Sequence, residues 1–297
     1  MASQSSKRPV VVGYDGSTPS EAALQWAAKA ADHQGRPLRV LHAAERITYT
    51  QDAGAGKYNP SEIISEAAER AERGADAVRS EFPNLEVSTA GSLFSAKVAL
   101  GEASTQAALM VLGSQGRGRV GTALLGSTSY AIAAYAKCPV VIVRDGESEL
   151  PGPEHPVSVA ANGTGGSQRA IDAAVDLARE WNAPLSLVTL WAPAPPDPWG
   201  KGPIGYDSTE AASADYKATA ERVNAEALEE IGGEHQDLSV NGRVIEAEAV
   251  EGLSKVADEG GVLVLGTRGH GAMVGSILGS VSLGVLSQSS APIMIVD

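Results

Sequence analysis

A chain of 297 residues with 43% hydrophobic and 20% charged residues has a globular composition, and its length accommodates two domains of about 150 residues each. Its formal charge of −13 excludes the basic face on which binding to nucleic acid or to an anionic membrane would rest, and aromatics at 4% leave no ring box for a flavin or stacked bases. One cysteine, Cys138, excludes an intrachain disulfide and a cysteine-based metal cluster, and no apolar run reaches the roughly eighteen residues of a membrane span.

Met1 to Pro9 is polar and lacks the apolar core of a signal peptide, so a cytoplasmic location is expected. Val10 to Tyr14 is a β-branched run ending at Asp15-Gly16-Ser17, and Ser20 to Ala31 follows with Ala23, Leu24, Ala27 and Ala31 on one helical face. Pro37 to Ala44 reads as a second strand, Glu45 to Tyr58 as a polar loop, and Pro60 as the opening of a helix from Ser61 to Glu81. Leu85 to Gly91 predicts a third strand, Ala96 to Thr105 a short helix, and Ala107 to Gly113 a fourth strand. A glycine-rich stretch then leads into a helix from Ser127 to Lys137 and a fifth strand from Pro139 to Arg144.

Gly146 to Pro156, with Pro151, Pro153 and Pro156, reads as a linker that divides a domain at 1–147 from another at 154–297. Val157 to Ala161, the turn Asn162-Gly163-Thr164, a helix from Ser167 to Trp181 and a strand from Pro184 to Trp191 then restate the opening of the first half. The interval between matching residues lengthens after this point, so an insertion lies between. Ala192 to Asp207 is the natural place, because Pro193, Pro195, Pro196, Pro198 and Pro203 keep it irregular; Trp199 and Tyr206 make it either a lid or partner-binding segment or a tolerated surface insertion. Cys138 matches Ala291, each before a proline, which predicts a packing role for the thiol.

Strands separated by helices at these lengths imply right-handed βαβ crossovers. Each half is therefore expected to be an α/β domain, doubly wound around a five-stranded parallel sheet in the Rossmann-like manner. The pattern G-x2-G-x9-G-S occurs at Gly113, Gly116, Gly126 and Ser127 and again at Gly266, Gly269, Gly279 and Ser280, with the interval between copies unchanged along the motif. A strand, a glycine loop and a helix start form an anion cradle, since glycine lets the backbone approach a ligand and the helix N-terminus offers unpaired N–H groups. In open parallel sheets ligands bind beyond the carboxyl ends of the strands where strand order reverses. Asp15-Gly16 and Gly113 to Gly118 would then face each other across one cleft, which suits a nucleotide: a carboxylate for ribose hydroxyls, amides for phosphates.

At these residues the sequence resembles the universal stress proteins in their tandem two-domain form, over nearly the whole chain. The resemblance implies an adenine nucleotide alpha hydrolase-like fold, binding of ATP (with or without Mg²⁺) or of AMP or ADP, and a role as a stress-response sensor or regulator rather than an enzyme. By resemblance Asp15 holds ribose, the backbone near Ala43 meets adenine, and Gly113, Gly116, Gly126 and Ser127 wrap the ribose and phosphates. Gly13, Tyr14, Gly16, Leu112, Arg117, Gly118 and Thr128 complete the first candidate site. The second comprises Ala161, Asn162, Gly163, Leu190, Leu265, Gly266, Gly269, His270, Gly271, Gly279, Ser280 and Val281, with Asn162 where the pattern has Asp. The resemblance also implies pairing through the fifth strands, Val140 to Val143 and Ile293 to Val296, as a pseudo-dimer within the chain, with a homodimer as a further option.

Three rival readings fit less well. Gly116 to Gly121 matches the dinucleotide fingerprint G-x-G-x-x-G, but it follows a fourth strand, position 136 is Ala rather than acidic, and the second copy has Val274 for the third glycine. A phosphoryl-transfer or slow ATP-hydrolysing enzyme would need more than the loop cations Arg117, Arg119, Arg268 and His270; there is no G-x4-G-K-[ST], and His42 reads as lining a strand end. A protein-interaction module with empty or structural cradles is the remaining alternative.

Overall fold

In the computed structural model of the protein, residues 7–44, 60–116, 125–144, 149–195, 203–267 and 278–297 are described, and they group into two compact units, one reaching Leu150 and the other beginning at Pro151. The first contains β1 (Val10–Gly13), α1 (Thr18–Gln34), β2 (Leu38–Ala43), α2 (Pro60–Glu81), β3 (Val87–Ser92), α3 (Ala96–Ser104), β4 (Leu109–Gly113), α4 (Ser127–Tyr135) and β5 (Val140–Val143). Its strands lie in the order β3-β2-β1-β4-β5, every neighbouring pair parallel. The chain builds outward from β1 to β3 and then crosses to β4, so strand order reverses between β1 and β4.

The second unit contains β6 (Val157–Ala160), α5 (Gly165–Glu180), β7 (Leu185–Trp191), α6 (Thr209–Glu234), β8 (Val240–Glu246), α7 (Ala249–Ala257), β9 (Val262–Gly266), α8 (Ser280–Gln288) and β10 (Ile293–Val296). Its order, β8-β7-β6-β9-β10, is the same winding, again with parallel neighbours, and β6 and β9 flank the reversal. Strands β1, β4 and β9 carry only apolar residues and glycine because helices cover both faces, and every residue of β4 and β5 is buried.

Element ends differ from expectation for identifiable reasons. Helix α1 starts at Thr18 rather than Ser20 because Pro19 in its first turn lacks only an N–H that has no helical partner. It runs past Ala31 to Gln34 and stops at Gly35, whose left-handed φ of 55° turns its N–H back to Ala31 O and Asp32 O. Helix α4 ends at Tyr135, two residues early, because Ala136 is extended and Lys137 N donates to Ser104 Oγ at 3.0 Å instead. The linker holds an ordered turn: Gly152 N donates to His155 O at 2.9 Å and His155 N to Gly152 O at 3.1 Å.

Of the proline-rich insertion, residues 192–195 and 203–207 are described and form neither helix nor strand. Ala194 is buried there, its N–H donating to Ser213 Oγ at 3.0 Å. The rest of the insertion and the loop expected at Glu45 to Tyr58 lie outside the described residues.

Burial pushes the Cys138 thiol up to about 11. At pH 8 it should be protonated and should react with a thiol reagent roughly a hundredfold more slowly in the native protein than after denaturation. Equal rates, measured by absorbance, would count against the packing role.

Candidate functional site

The site is built first from the end of β1. Tyr14 N donates to Leu41 O at 2.9 Å, carrying the chain out along β2. Asp15 Oδ1 then accepts from Ser17 N at 3.0 Å and from Ser17 Oγ at 2.5 Å, a side-chain turn that reverses the chain into α1. Gly16 completes the reversal at φ 76°, a left-handed conformation that suits glycine. Ser20 Oγ receives Asp15 N at 3.3 Å and donates to Ser17 O at 2.9 Å, locking turn to helix. His42 is buried at the end of β2, with Nδ1 2.7 Å from Tyr14 O; a carbonyl only accepts, so this nitrogen carries the hydrogen.

The facing wall comes from β4 and α4. Gly126 N donates to Ser114 O at 2.8 Å and buried Ser129 Oγ to Gly113 O at 2.7 Å, which seats the first turn of α4 on the end of β4. Gly126 caps this helix without a side chain, and Ser127 and Thr128 are its first residues. A Cβ on Gly116 would lie 2.8 Å from Asp15 Oδ2. The carboxylate and the glycine backbone, distant in sequence, therefore face each other across the reversal between β1 and β4.

The predicted glycines do not share one role. A Cβ on Gly113 would meet the backbone C and O of Pro19 at 2.6 Å, and one on Gly13 would meet Leu112 Cδ2 at 2.6 Å. These two are required by the approach of α1 to β4 and by the packing of Leu112 between strand and helix. At Gly116 the missing side chain leaves room for the Asp15 carboxylate, and at Gly126 a Cβ would come within 3.2 Å of Ser114 O.

The second unit repeats this construction with different atoms. Asn162 Oδ1 accepts from Thr164 N at 3.1 Å and Thr164 Oγ1 at 2.6 Å, and Gly163 is left-handed at φ 71°. Ser167 Oγ donates to Thr164 O at 2.8 Å as Ser20 does to Ser17. Gly279 N donates to Thr267 O at 2.8 Å and Ser282 Oγ to Gly266 O at 2.8 Å, matching Gly126 and Ser129. Ala161, at the end of β6, donates through its N–H to Val188 O at 2.9 Å, and Leu265, at the end of β9, is buried. Ser280 and Val281 open α8.

Ala43 sits half-buried at the end of β2, whereas Leu190 of β7 packs against α7, with Cδ2 2.7 Å from the Cβ position of Gly252. Arg117, Gly118, Gly269, His270 and Gly271, with Arg119 and Arg268, lie outside the described residues. The sequence reading missed Ser20 and Ser167, Ser129 and Ser282. Their signal was present: each serine keeps its spacing from Asp15 or Asn162, or from Gly126 or Gly279, in both halves. Among the described residues no three His, Cys, Asp or Glu side chains gather as a metal site.

Comparison with known proteins agrees with the repeat. The profile of the universal stress protein family matches twice, over residues 7–144 and 155–297. A universal stress protein of Mycolicibacterium smegmatis is 29% identical over 300 residues, spanning 100% of this chain and 99% of that protein. One from Mycobacterium tuberculosis is 29% identical over 315 residues, spanning 99% and 98%. Among solved structures, a universal stress protein of Archaeoglobus fulgidus superposes with a TM-score of 0.63 at 19% identity, covering 97% of this chain and 95% of that one. A functionally unknown protein of Pseudomonas aeruginosa gives 0.64 at 16% identity, covering 98% and 92%, so the fold is shared over the full length.

Proposed function

Since the chain belongs to the universal stress protein family, with the stress-response role which that membership supports, we propose that it senses or regulates by binding an adenine nucleotide, ATP foremost, with little or no turnover. The nucleotide lies beyond the carboxyl ends of β1 and β4, and a second beyond β6 and β9. The observation that carries this reading is the 2.8 Å between Asp15 Oδ2 and the Cβ position of Gly116. It sets an anionic acceptor opposite a side-chain-free backbone in one crevice, beside the uncapped start of α4. ATP brings a ribose diol that donates to the carboxylate and phosphates that accept from backbone amides. Denaturing freshly purified protein should release adenine nucleotide, detected by absorbance and mass spectrometry; a chain that neither releases one nor binds added ATP in calorimetry would refute the proposal.

The two sites are proposed to be unequal. Asn162 Oδ1 is committed to the turn, so its amide nitrogen stands where Asp15 has its second oxygen. Hydrogen bonds to a charged group exceed neutral ones by about 1 kcal/mol, or several-fold in affinity. Repulsion between Asp15 and the triphosphate opposes this but is screened near the surface, whereas the ribose contact is direct. Asn162→Asp in the full chain should tighten the weaker of two calorimetric sites several-fold. An unchanged weak site would refute the assignment.

A further inference from the structure

Away from the crevice, the first unit has a cleft of about 320 Å³ under α3, whose walls include Arg39, Leu41, Ala90, Phe94, Ala99 and Gln106. None of Asp15, Gly116 or Gly126 lines it. Its origin lies in side-chain size and strand alternation. Gly91 presses against α2, where a Cβ would meet Ala68 N at 2.6 Å and Ile64 O at 2.7 Å, so its neighbours Ala90 and Ser92 point to the opposite face of β3. Ala90 is in register with Leu41, and Arg39 shares that face of β2. With Ala99 and Ala103 as the roof, the space between sheet and helix stays open.

Two features give the cleft a chemical preference. Arg39 is half-buried in its wall, and its guanidinium makes no hydrogen bond or ion pair with another described residue. Phe94, 60% exposed, offers an aromatic surface to whatever enters. The second unit fills the same place with different side chains. There Leu185 and Val240 occupy the register positions of Leu38 and Val87, which puts Ser186 at the place of Arg39 and Arg243 at that of Ala90. Arg243 Nη2 donates to Glu259 Oε1 at 2.9 Å, and Glu259 stands where the first unit has Gln106. The second unit thus supplies its guanidinium with a carboxylate; the first keeps a guanidinium, places it one strand inward and has Gln106 where that carboxylate would be.

We propose that this cleft binds a small organic carboxylate with an apolar body, the carboxylate on Arg39 and the body against Leu41, Ala99 and Phe94. A guanidinium fits the two oxygens of a carboxylate through parallel hydrogen bonds. A single cation matches a single negative charge, and the exposed Glu102 on the cleft wall disfavours a dianion such as a phosphate monoester. In a chain of charge −13 such an anion is recognised locally and not drawn in from a distance. The proposal does not depend on nucleotide binding.

Phenylacetate and its neutral isostere phenylacetamide, titrated into full-length methyl-labelled protein and followed by NMR, test it. Phenylacetate should shift the methyls of Leu41, Ala90 and Ala99 saturably, and phenylacetamide should bind there roughly tenfold more weakly. Arg39→Gln should weaken phenylacetate by roughly the same factor. Ala90→Arg combined with Gln106→Glu, which transplants the ion pair of the second unit, should abolish the shifts while circular dichroism reports an intact fold. Equal binding of acid and amide, the absence of saturable shifts at these methyls, or full affinity in a folded Arg39→Gln protein would each overturn it.

Discussion

Gly113→Ala is expected to lower stability by about 3 kcal/mol, whereas Gly116→Ala should leave the thermal midpoint within about 2 °C of the parent and weaken nucleotide binding at least tenfold. The two glycines belong to one motif, and the difference lies in what a methyl group would meet. At position 113 it meets the backbone of Pro19 at 2.6 Å, and backbone cannot rotate aside. The first turn of α1 would have to lift from β4, taking with it Ser20, which braces the Asp15 turn. At position 116 it meets the far end of the Asp15 side chain at 2.8 Å, which a small rotation relieves. The fold survives, but the methyl and the displaced carboxylate take the space assigned to the ligand. Denaturant unfolding and calorimetry separate the outcomes. A Gly113→Ala protein as stable as the parent would contradict the packing role, and undiminished ATP affinity in Gly116→Ala would contradict the site.

Asp15→Ala should weaken binding at the first site by roughly ten- to a hundredfold, the range of a lost hydrogen bond to a charged group, and should also lower stability by about 1 kcal/mol. The two losses come from different oxygens. Oδ1 holds the turn by accepting from Ser17 N and Ser17 Oγ, and Oδ2 faces Gly116. Asp15→Asn tells them apart, because Asn162 already holds the equivalent turn through one amide oxygen. The Asn variant should recover the stability of the parent while losing several-fold in affinity. If Asp15→Ala destabilises the chain yet binds ATP like the parent, the carboxylate is only a turn residue and the ribose contact is wrong.

The winding of each unit was legible because short apolar runs separated by helical segments admit few right-handed arrangements, and a reversal beside the first strand follows from them. The glycine motif pointed to the ends of β4 and β9 because its interval is constant across the repeat. The letter Gly, however, does not say which way its missing Cβ would point. That Gly13 accommodates Leu112 and Gly113 accommodates Pro19 is therefore visible only in the structure. The ends of α1 were misplaced for a similar reason: the apolar face sets the middle of a helix, whereas its length was set by Pro19 and Gly35. The isolation of Arg39 was hidden in sequence altogether. It depends on strand register and on the residue just past the far end of α3, as the pairing of Arg243 with Glu259 shows from the other side.

The turn shared by Asp15 and Asn162 bears on how such a chain diverges after its halves are duplicated. Codons for aspartate and asparagine differ at one base, and the turn asks only for the one side-chain oxygen that both residues provide. A single transition therefore exchanges an anionic acceptor for a neutral donor at the mouth of a crevice without exposing an unfolded intermediate to selection. Each half can drift along that path independently and return by the reverse step. Under the proposed nucleotide binding, a tandem gene would thus carry two separately adjustable thresholds for its ligand, each one point mutation from the other.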